Sequence, residues 1–434
     1  MKVAQWEVPH LAPVSRRGPK LSAGPGASGM SVVGLFAGIG GLELGLEQAG
    51  HRTLILCEIM PEARAVLNAA AERRKADAAF ISAKHVEDVT RDLEPNLPSR
   101  FDVLAAGFPC QDLSQAGRTA GIGGSRSGLI GNVLEILGRR SPAERPTWII
   151  LENVSFMRHL SGGTAMEVVL DGLSRLGYSW AYRELDTLAF GLPQRRRRLF
   201  IVGCLRGRGD PRRVLLDGDE EPAPAMRGAG WKEGRACAFY WTEGNRGVGW
   251  ADDAVPTLKG GSGLGIPSPP AIIMPDGTLV LPTIRDAERL QGFPRGWTEA
   301  ASAVDPRGGR VRWQLVGNAV SVPVAKWIGE RLTSSTTEFH RNDPLLTRGE
   351  KWPTAAWRMD PAGATHAASL GAWPTRRDRR SLLSILAEEE VERPVLSRKA
   401  AAGFLRRFEA SNLLGRHEAH RSALLKVLRR HVAK

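Results

Sequence analysis

The chain of 434 residues lacks any apolar run near the roughly 20 residues that a bilayer-crossing helix needs, which excludes a helical membrane protein. Its start, MKVAQWEVPHLAPVSRRGPK, contains no apolar h-region, so no secretory signal is expected. Cysteine is scarce: Cys57, Cys110, Cys204 and Cys237 stand far apart, with no CxxC pair. That argues against a disulfide scaffold, a zinc ribbon or any bound metal, and fits a reducing cytoplasm. Acidic residues fall short of basic ones, 46 Asp+Glu against 60 Lys+Arg, for a formal charge of +14. The excess points to a polyanionic partner, nucleic acid before others, and carries no specificity. It is also unevenly placed: residues 1–30 carry +3, 331–434 carry +9, and the 300 between them only +2.

Residues 1–30, rich in Pro, Gly and Ser, read as a flexible basic tail. From Ser31 onward, apolar runs alternate with amphipathic stretches. SVVGLF (31–36), TLILCE (53–58), DVLAAG (102–107), WIILE (148–152) and RLFIVG (198–203) read as buried strands; 40–49, 61–75, 128–138 and 164–176 read as helices. The alternation predicts an α/β fold over 31–203, a Rossmann-like doubly wound parallel sheet with ligands at the carboxyl ends of its strands. Residues 204–281 are loop-rich, with 9 basic and 10 acidic residues, and predict a small irregular module with short strands at most. A helical pattern returns over 282–333. Residues 334–434 form a basic, partly helical extension, with Ser397 placed as the N-cap of its last stretch.

The first strand runs into Phe36-Ala37-Gly38-Ile39-Gly40-Gly41 and then a helix, a bend where backbone can approach a ligand closely. The second ends at Glu58, about the 20 residues after the glycines at which a carboxylate meets ribose hydroxyls in dinucleotide folds. Asp88 follows near another strand end. These features suggest a nucleoside-bearing cofactor. Cys110 lies after Gly107-Phe108-Pro109, at a strand's carboxyl end where nucleophiles are presented. Glu152 closes the run WIILE, which suits a general acid of raised pKa.

FAGIGG (36–41), GFPCQ (107–111), ENV (152–154), QRRRR (194–198), RDAERLQGFP (285–294) and GNAVSVPVA (317–325) occur in that order. Together they closely resemble the motifs of DNA (cytosine-5) methyltransferases, over roughly residues 31–330. The resemblance implies S-adenosylmethionine as cofactor. Phe36 and Ile59 would lie on its adenine, Gly38, Ile39, Gly40 and Gly41 along its methionine end, Glu58 on the ribose, and Asp88 with Val89 at the adenine edge. Pro109, Leu129, Asn318 and Val320 would complete the pocket. Two positions depart from common forms: Ile59 stands where Trp is often found, and EDV (87–89) where GDI is common.

For the reaction, the resemblance makes Cys110 the nucleophile at cytosine carbon-6 and Glu152 the group at ring N3, positioned by Asn153. Arg196 would hold the base's carbonyl, with Arg198 in support. The target must be flipped out of the duplex, with the 111–127 segment, including Gln111, Ser114 and Arg118, as a lid over it. Residues 204–281 fall where the family keeps its target-recognition domain. Arg235, Arg246, Trp231, Trp241 and Trp250 are the candidates there for reading base edges, the tryptophans being equally readable as the module's core, and the Thr257-Leu258 pair resembles one common in such domains. Expected partners are double-stranded DNA and, in a restriction-modification setting, a companion endonuclease; no membrane is involved, and the expected state is a cytoplasmic monomer. A tRNA methyltransferase and a non-catalytic DNA-binding regulator are the competing readings, disfavoured by the 204–281 module and by the intact Cys110, Glu152 and Arg196. The 334–434 extension matches no family motif; it is read either as a phosphate-binding appendage or as a helical subdomain packed on the core.

Overall fold

A computed structural model describes residues 29–74, 83–108, 128–220, 235–242, 249–261, 268–305, 309–333, 339–347, 349–412, 414 and 418–433. In chain order the strands are β1 (Ser31–Leu35), β2 (Arg52–Cys57), β3 (Lys84–Val86), β4 (Val103–Gly107), β5 (Trp148–Val154), β6 (Tyr178–Asp186), β7 (Gln194–Arg195) and β8 (Arg197–Leu205), then β9 (Cys237–Phe239), β10 (Ala251–Asp252), β11 (Val255–Pro256), β12 (Ala271–Ile273), β13 (Leu279–Val280), β14 (Ala355–Arg358) and β15 (His366–Ala368). Nine of them form one sheet in the order β15-β14-β6-β8-β5-β4-β1-β2-β3.

Alternation of side chains builds a core on each face of this sheet. Val32, Val103, Ala105 and Ile150 pack on one side with the helices Gly41–Gln48 and Val322–Leu332. Val33, Leu104, Ala106 and Ile149 pack on the other with Gly128–Arg139 and Thr164–Arg175. Both faces are covered, so these strands are apolar throughout, as a doubly wound sheet requires. The switch point lies between β1 and β4, and the carboxyl ends of β1, β2, β4 and β5 open on one edge.

The sheet departs from the expected wholly parallel form. Only β3-β2-β1-β4-β5 is parallel; β8 runs antiparallel to both β5 and β6. The link from Asp186 to β8 is too short for a crossover helix, so the chain can only fold back as an antiparallel neighbour. The strand β6 was absent from the sequence reading because YSWAYRELD mixes charged with apolar residues. All nine are nevertheless buried, because the charges are paired. Arg183 donates to the carbonyls of Leu215, Gly218 and Gly371 and meets Asp219 at 2.7 Å, while Glu184 accepts from Arg158 at 2.8 Å.

The C-terminal hundred residues are not set apart from the rest. β14 pairs antiparallel with β6, so the catalytic sheet is extended by residues more than 150 positions downstream. A second sheet, β10-β9-β12-β13, belongs to the small module. Its residues Phe239, Ala271, Ile273 and Leu279 are covered by Phe404, Phe408, Leu424 and Leu428, from the helices Arg398–Glu409 and Glu418–Ala433. Among the described residues no helix is long and apolar enough to cross a membrane.

A chain ending at residue 333 would therefore expose the edge of β6 and one face of the small module's sheet. It is expected to aggregate or to lose cooperative unfolding, as judged by size-exclusion chromatography and thermal melting. A monodisperse product with an unchanged melting temperature would contradict this architecture.

Candidate active site

The turn after β1 is the first part of the site. Phe36 has φ 53°, in the left-handed region that non-glycine residues rarely adopt, and Gly38 follows at φ 55°. A methyl group on Gly38 would meet nothing within 4 Å, so this glycine faces open space. Glu58 at the end of β2 closes the turn: its Oε2 accepts from the Gly38 amide at 2.7 Å and its Oε1 from Met60 N at 2.8 Å. Arg64 donates to the carbonyls of Glu58 and Ile59 and so fixes the next residue, Ile59, whose side chain is left 62% exposed. Asp88 accepts from the amide and hydroxyl of Thr90 at 2.8 and 2.7 Å, which holds its carboxyl below the usual range and keeps it charged. An open glycine, an exposed apolar side chain and two carboxylates form a cradle that fits a nucleoside.

Not every expected cofactor residue faces that cradle. Ile39 is fully buried among Ala63, Val66 and Phe293, and its carbonyl accepts from Trp297 Nε1 at 2.9 Å; it serves the core. Gly40 packs on Leu67, and a methyl on Gly41 would sit 2.2 Å from the Val320 carbonyl. These two glycines permit close packing, joining the first βα turn to the 317–325 motif. Val89 is buried, Leu129 half-buried against the same core as Phe36, and Asn318 exposed. Val320 reaches the site: a methyl on Gly107 would lie 3.7 Å from both its Cγ2 and Glu152 Oε2.

Glu152 sits near the end of β5, buried, with Arg198 Nε 3.3 Å from its Oε1. That oxygen has no hydrogen-bond partner. Burial pushes the carboxyl above its ordinary range, opposed by Arg198 and then Arg196. Asn153 donates to the Phe108 carbonyl at 3.0 Å, so it ties the end of β4 to β5 beside Glu152. Pro109, Cys110, Gln111, Ser114 and Arg118 lie outside the described residues, as does Arg246. Of the other cysteines, Cys57 and Cys204 are buried with thiols pushed up to about 12, and burial raises Cys237 further. None of these three can offer a thiolate.

Arg196 does not point to a base as expected. It is 1% exposed, and its guanidinium donates to the carbonyls of Leu258 (3.2 Å), Gly317 (3.0 Å) and Ala319 (2.8 Å). A cation buried in this way binds backbone because three carbonyls offset part of its lost hydration. Leu258, expected at the DNA, is likewise buried, and its amide donates to Gln194 Oε1. Beside them Gln194 Nε2 donates to the Leu290 carbonyl and to Gln291 Oε1, which also accepts from Ser321. The three late motifs and Leu258 thus meet in one buried polar junction.

Arg198, Thr257 and Phe156 instead line a cleft of about 950 Å³ between the sheet's carboxyl edge and the small module. Thr257 donates its hydroxyl to the Arg195 carbonyl at 2.9 Å. Arg235 is exposed on the small module. The far wall carries Tyr240, Trp250, Lys259 and His420, with Lys259 Nζ 4.3 Å from the Tyr240 ring. His420 is 168 positions from its partner Asp252, so no local signal could have marked it. Phe156, two residues after ENV, is 62% exposed, and nothing in its local sequence distinguished it from a core aromatic.

Residues 30–219 match the family described as C-5 cytosine-specific DNA methylase. The chain is 44% identical over 387 residues to the type II methyltransferase M2.BsuMI of Bacillus subtilis (strain 168), spanning 87% of this chain and 93% of that protein. It is 30% identical over 314 residues to the type II methyltransferase M.NgoBI of Neisseria gonorrhoeae, spanning 67% of this chain and 89% of that one.

Because burial raises the Glu152 pKa on folding, its ionised form destabilises the fold. Glu152→Gln removes that cost. Below the ordinary carboxylate range both proteins carry a neutral group and should melt alike. As pH rises from the ordinary carboxylate pKa towards the raised one the parent loses stability, so the variant should become the more stable, and above the raised pKa the difference should level off. Thermal melts from pH 4 to 9 check the sign.

Proposed function

The chain belongs to the C-5 cytosine-specific DNA methylase family and is a DNA (cytosine-5) methyltransferase; from that premise we propose how it acts: through a covalent bond between Cys110 and a flipped-out cytosine in a short specific sequence. S-adenosylmethionine, when bound, supplies the electrophilic methyl group. Phe36, Gly38, Ile59, Glu58 and Asp88 would hold it: the open glycine and the apolar side chains admit the flat adenosine, and the carboxylates accept from its hydroxyl and amino groups. Leu129, Pro109 and Val320 would close the pocket towards the base.

Carbon-5 of cytosine is a weak nucleophile until the ring is attacked at carbon-6. The Cys110 thiolate would add there while Glu152, protonated, donates to ring N3; carbon-5 would then take the methyl group as its bond to the cofactor's sulfur breaks, the neutral thioether being the leaving group. The carbon-5 proton would pass to solvent as the thiolate is expelled, and N3 would return its proton to Glu152, restoring the ring. We assign the base's carbonyl to Arg198, which stands beside Glu152 and faces the cleft, with Arg196 bracing the walls. The observation that carries the reading is the buried Glu152 carboxyl, with an arginine 3.3 Å from its Oε1, at the edge where β4 and β5 end. A carboxyl whose pKa is pushed up by burial suits donation to a ring nitrogen. The three buried cysteines leave Cys110 as the available thiol.

Double-stranded DNA is the partner in this reading, recognised by the module that begins after β8, and the setting is restriction-modification with a companion endonuclease. The enzyme would work as a cytoplasmic monomer.

Mixed-sequence plasmid DNA synthesised with 5-fluorocytosine, in which fluorine replaces the carbon-5 proton and cannot be eliminated in its place, should trap the protein in a denaturation-resistant adduct when S-adenosylmethionine is present. Cys110→Ala should give none. Glu152→Gln should lower kcat on ordinary DNA by about 10²–10⁴-fold. Absence of an adduct with the parent protein would refute the covalent route.

A further inference from the structure

Residues 249–252, which run into β10, form part of one wall of the cleft and are held from behind by residues at the far end of the chain. Trp250 lines the cleft, and its Nε1 donates to Asp252 Oδ1 at 2.7 Å. The other oxygen of Asp252 meets His420 Nε2 at 3.0 Å, and the imidazole stands edge-on to the Trp250 ring at 5.2 Å. Phe239, behind Trp250, stacks on it at 6.5 Å and meets Phe404 at a tilt, with ring centroids 5.2 Å apart. The next residue, Asp253, has φ 46°, a left-handed conformation that must be paid for by its contacts. They come from the same end of the chain: Arg379 donates to the Asp253 carbonyl and to Oδ2, and the Leu382 amide donates to Oδ1. Asp252, in the wall, and Asp253, directly after it, are therefore clamped by His420 and by residues 379–382 respectively.

We propose that the sequence-reading module of this enzyme includes the C-terminal segment 379–433, and that His420 is a positioning residue which sets, through Asp252, the pose of Trp250 against the DNA. The inference rests on the reading of the cleft as the DNA site. The chemistry of the wall suits that partner. An indole held by its N–H offers its remaining ring surface for apolar or stacking contact, and Lys259, Arg195 and Arg197 supply cations for phosphates around it. A tilt of the indole would change which base edges fit below it. Sequence preference, rather than catalysis or cofactor binding, is what such a tilt should alter.

The test uses the full-length protein expressed in a bacterial host lacking other cytosine methylation, with bisulfite sequencing of the genome. The parent gives the preferred sequence and its ratio of methylation over sites differing by one base. His420→Ala should lower that ratio at least tenfold while leaving the affinity for S-adenosylmethionine within twofold of the parent. His420→Gln, which keeps a donor for Asp252, should restore most of it. A merely structural role would reduce methylation at all sites together and leave the ratio unchanged, and that result overturns the proposal. If the alanine variant does not fold, Asp252→Asn reads the same ratio with the same two outcomes. A parent that modifies no cytosine overturns the methyltransferase mechanism itself, a separate and recognisable failure.

Discussion

The structure turns on the buried polar junction formed by Gln194, Arg196, Gln291 and Ser321. Gln194 and Gln291 share a hydrogen bond at 3.1 Å, Ser321 donates to Gln291 at 2.7 Å, and Arg196 gathers three carbonyls from two other segments. Thr187 reaches the same Ser321 hydroxyl at 3.1 Å. Removing any member would leave buried donors or acceptors unpaired, at a cost of about 1–3 kcal/mol each. Such a junction tolerates one arrangement only, because polar groups, unlike apolar ones, cannot slide past each other without losing directed bonds. The relative placement of β7, β8, the Thr257-Leu258 pair and the 317–325 segment follows from it, and with them the width of the cleft.

From that frame the electrostatics of the reaction centre acquire direction. Glu152 is taken out of water by the strands on either side, while Arg198 remains at the cleft. The two residues sit on neighbouring antiparallel strands, in a register that pairs Val154 with Arg198. The chain fold-back that makes β8 antiparallel is therefore what brings the guanidinium to the carboxyl. The Asp88 carboxyl, after β3, is held below its ordinary range by hydrogen bonds from Thr90, so burial and hydrogen bonding shift the two acids in opposite directions.

The basic C-terminal end has a different use from the one its charge suggests. Arg393 binds both oxygens of the buried Asp286 at 2.9 Å, Arg379 binds Asp253, and Arg377 reaches Glu330 at 2.8 Å. Much of the local excess is consumed in fastening this segment to acids of the earlier chain. Net charge counted along a sequence does not distinguish a cation that faces solvent from one that is paired across the fold.

Sequence alone determined the βα alternation, five of the strands of the main sheet, and the identity of the chemistry. Apolar runs bounded by glycine and acidic residues are local, and FAGIGG, ENV and QRRRR lie at strand ends where their neighbours in sequence already position them. Phe36, Gly38, Glu58 and Glu152 could be found in that way. What local pattern could not decide is which member of a motif turns inward. Arg196 and Arg198 are both arginines on one short run, and only the packing of Leu258, Gly317 and Ala319 around the first makes it a brace and leaves the second at the cleft. The same limit hid β6, whose charges are buried because distant partners neutralise them, and the second layer of the small module, supplied by helices more than 100 positions downstream of the strands they cover. Contacts of that separation depend on the closed tertiary arrangement, which leaves no periodic trace in either partner.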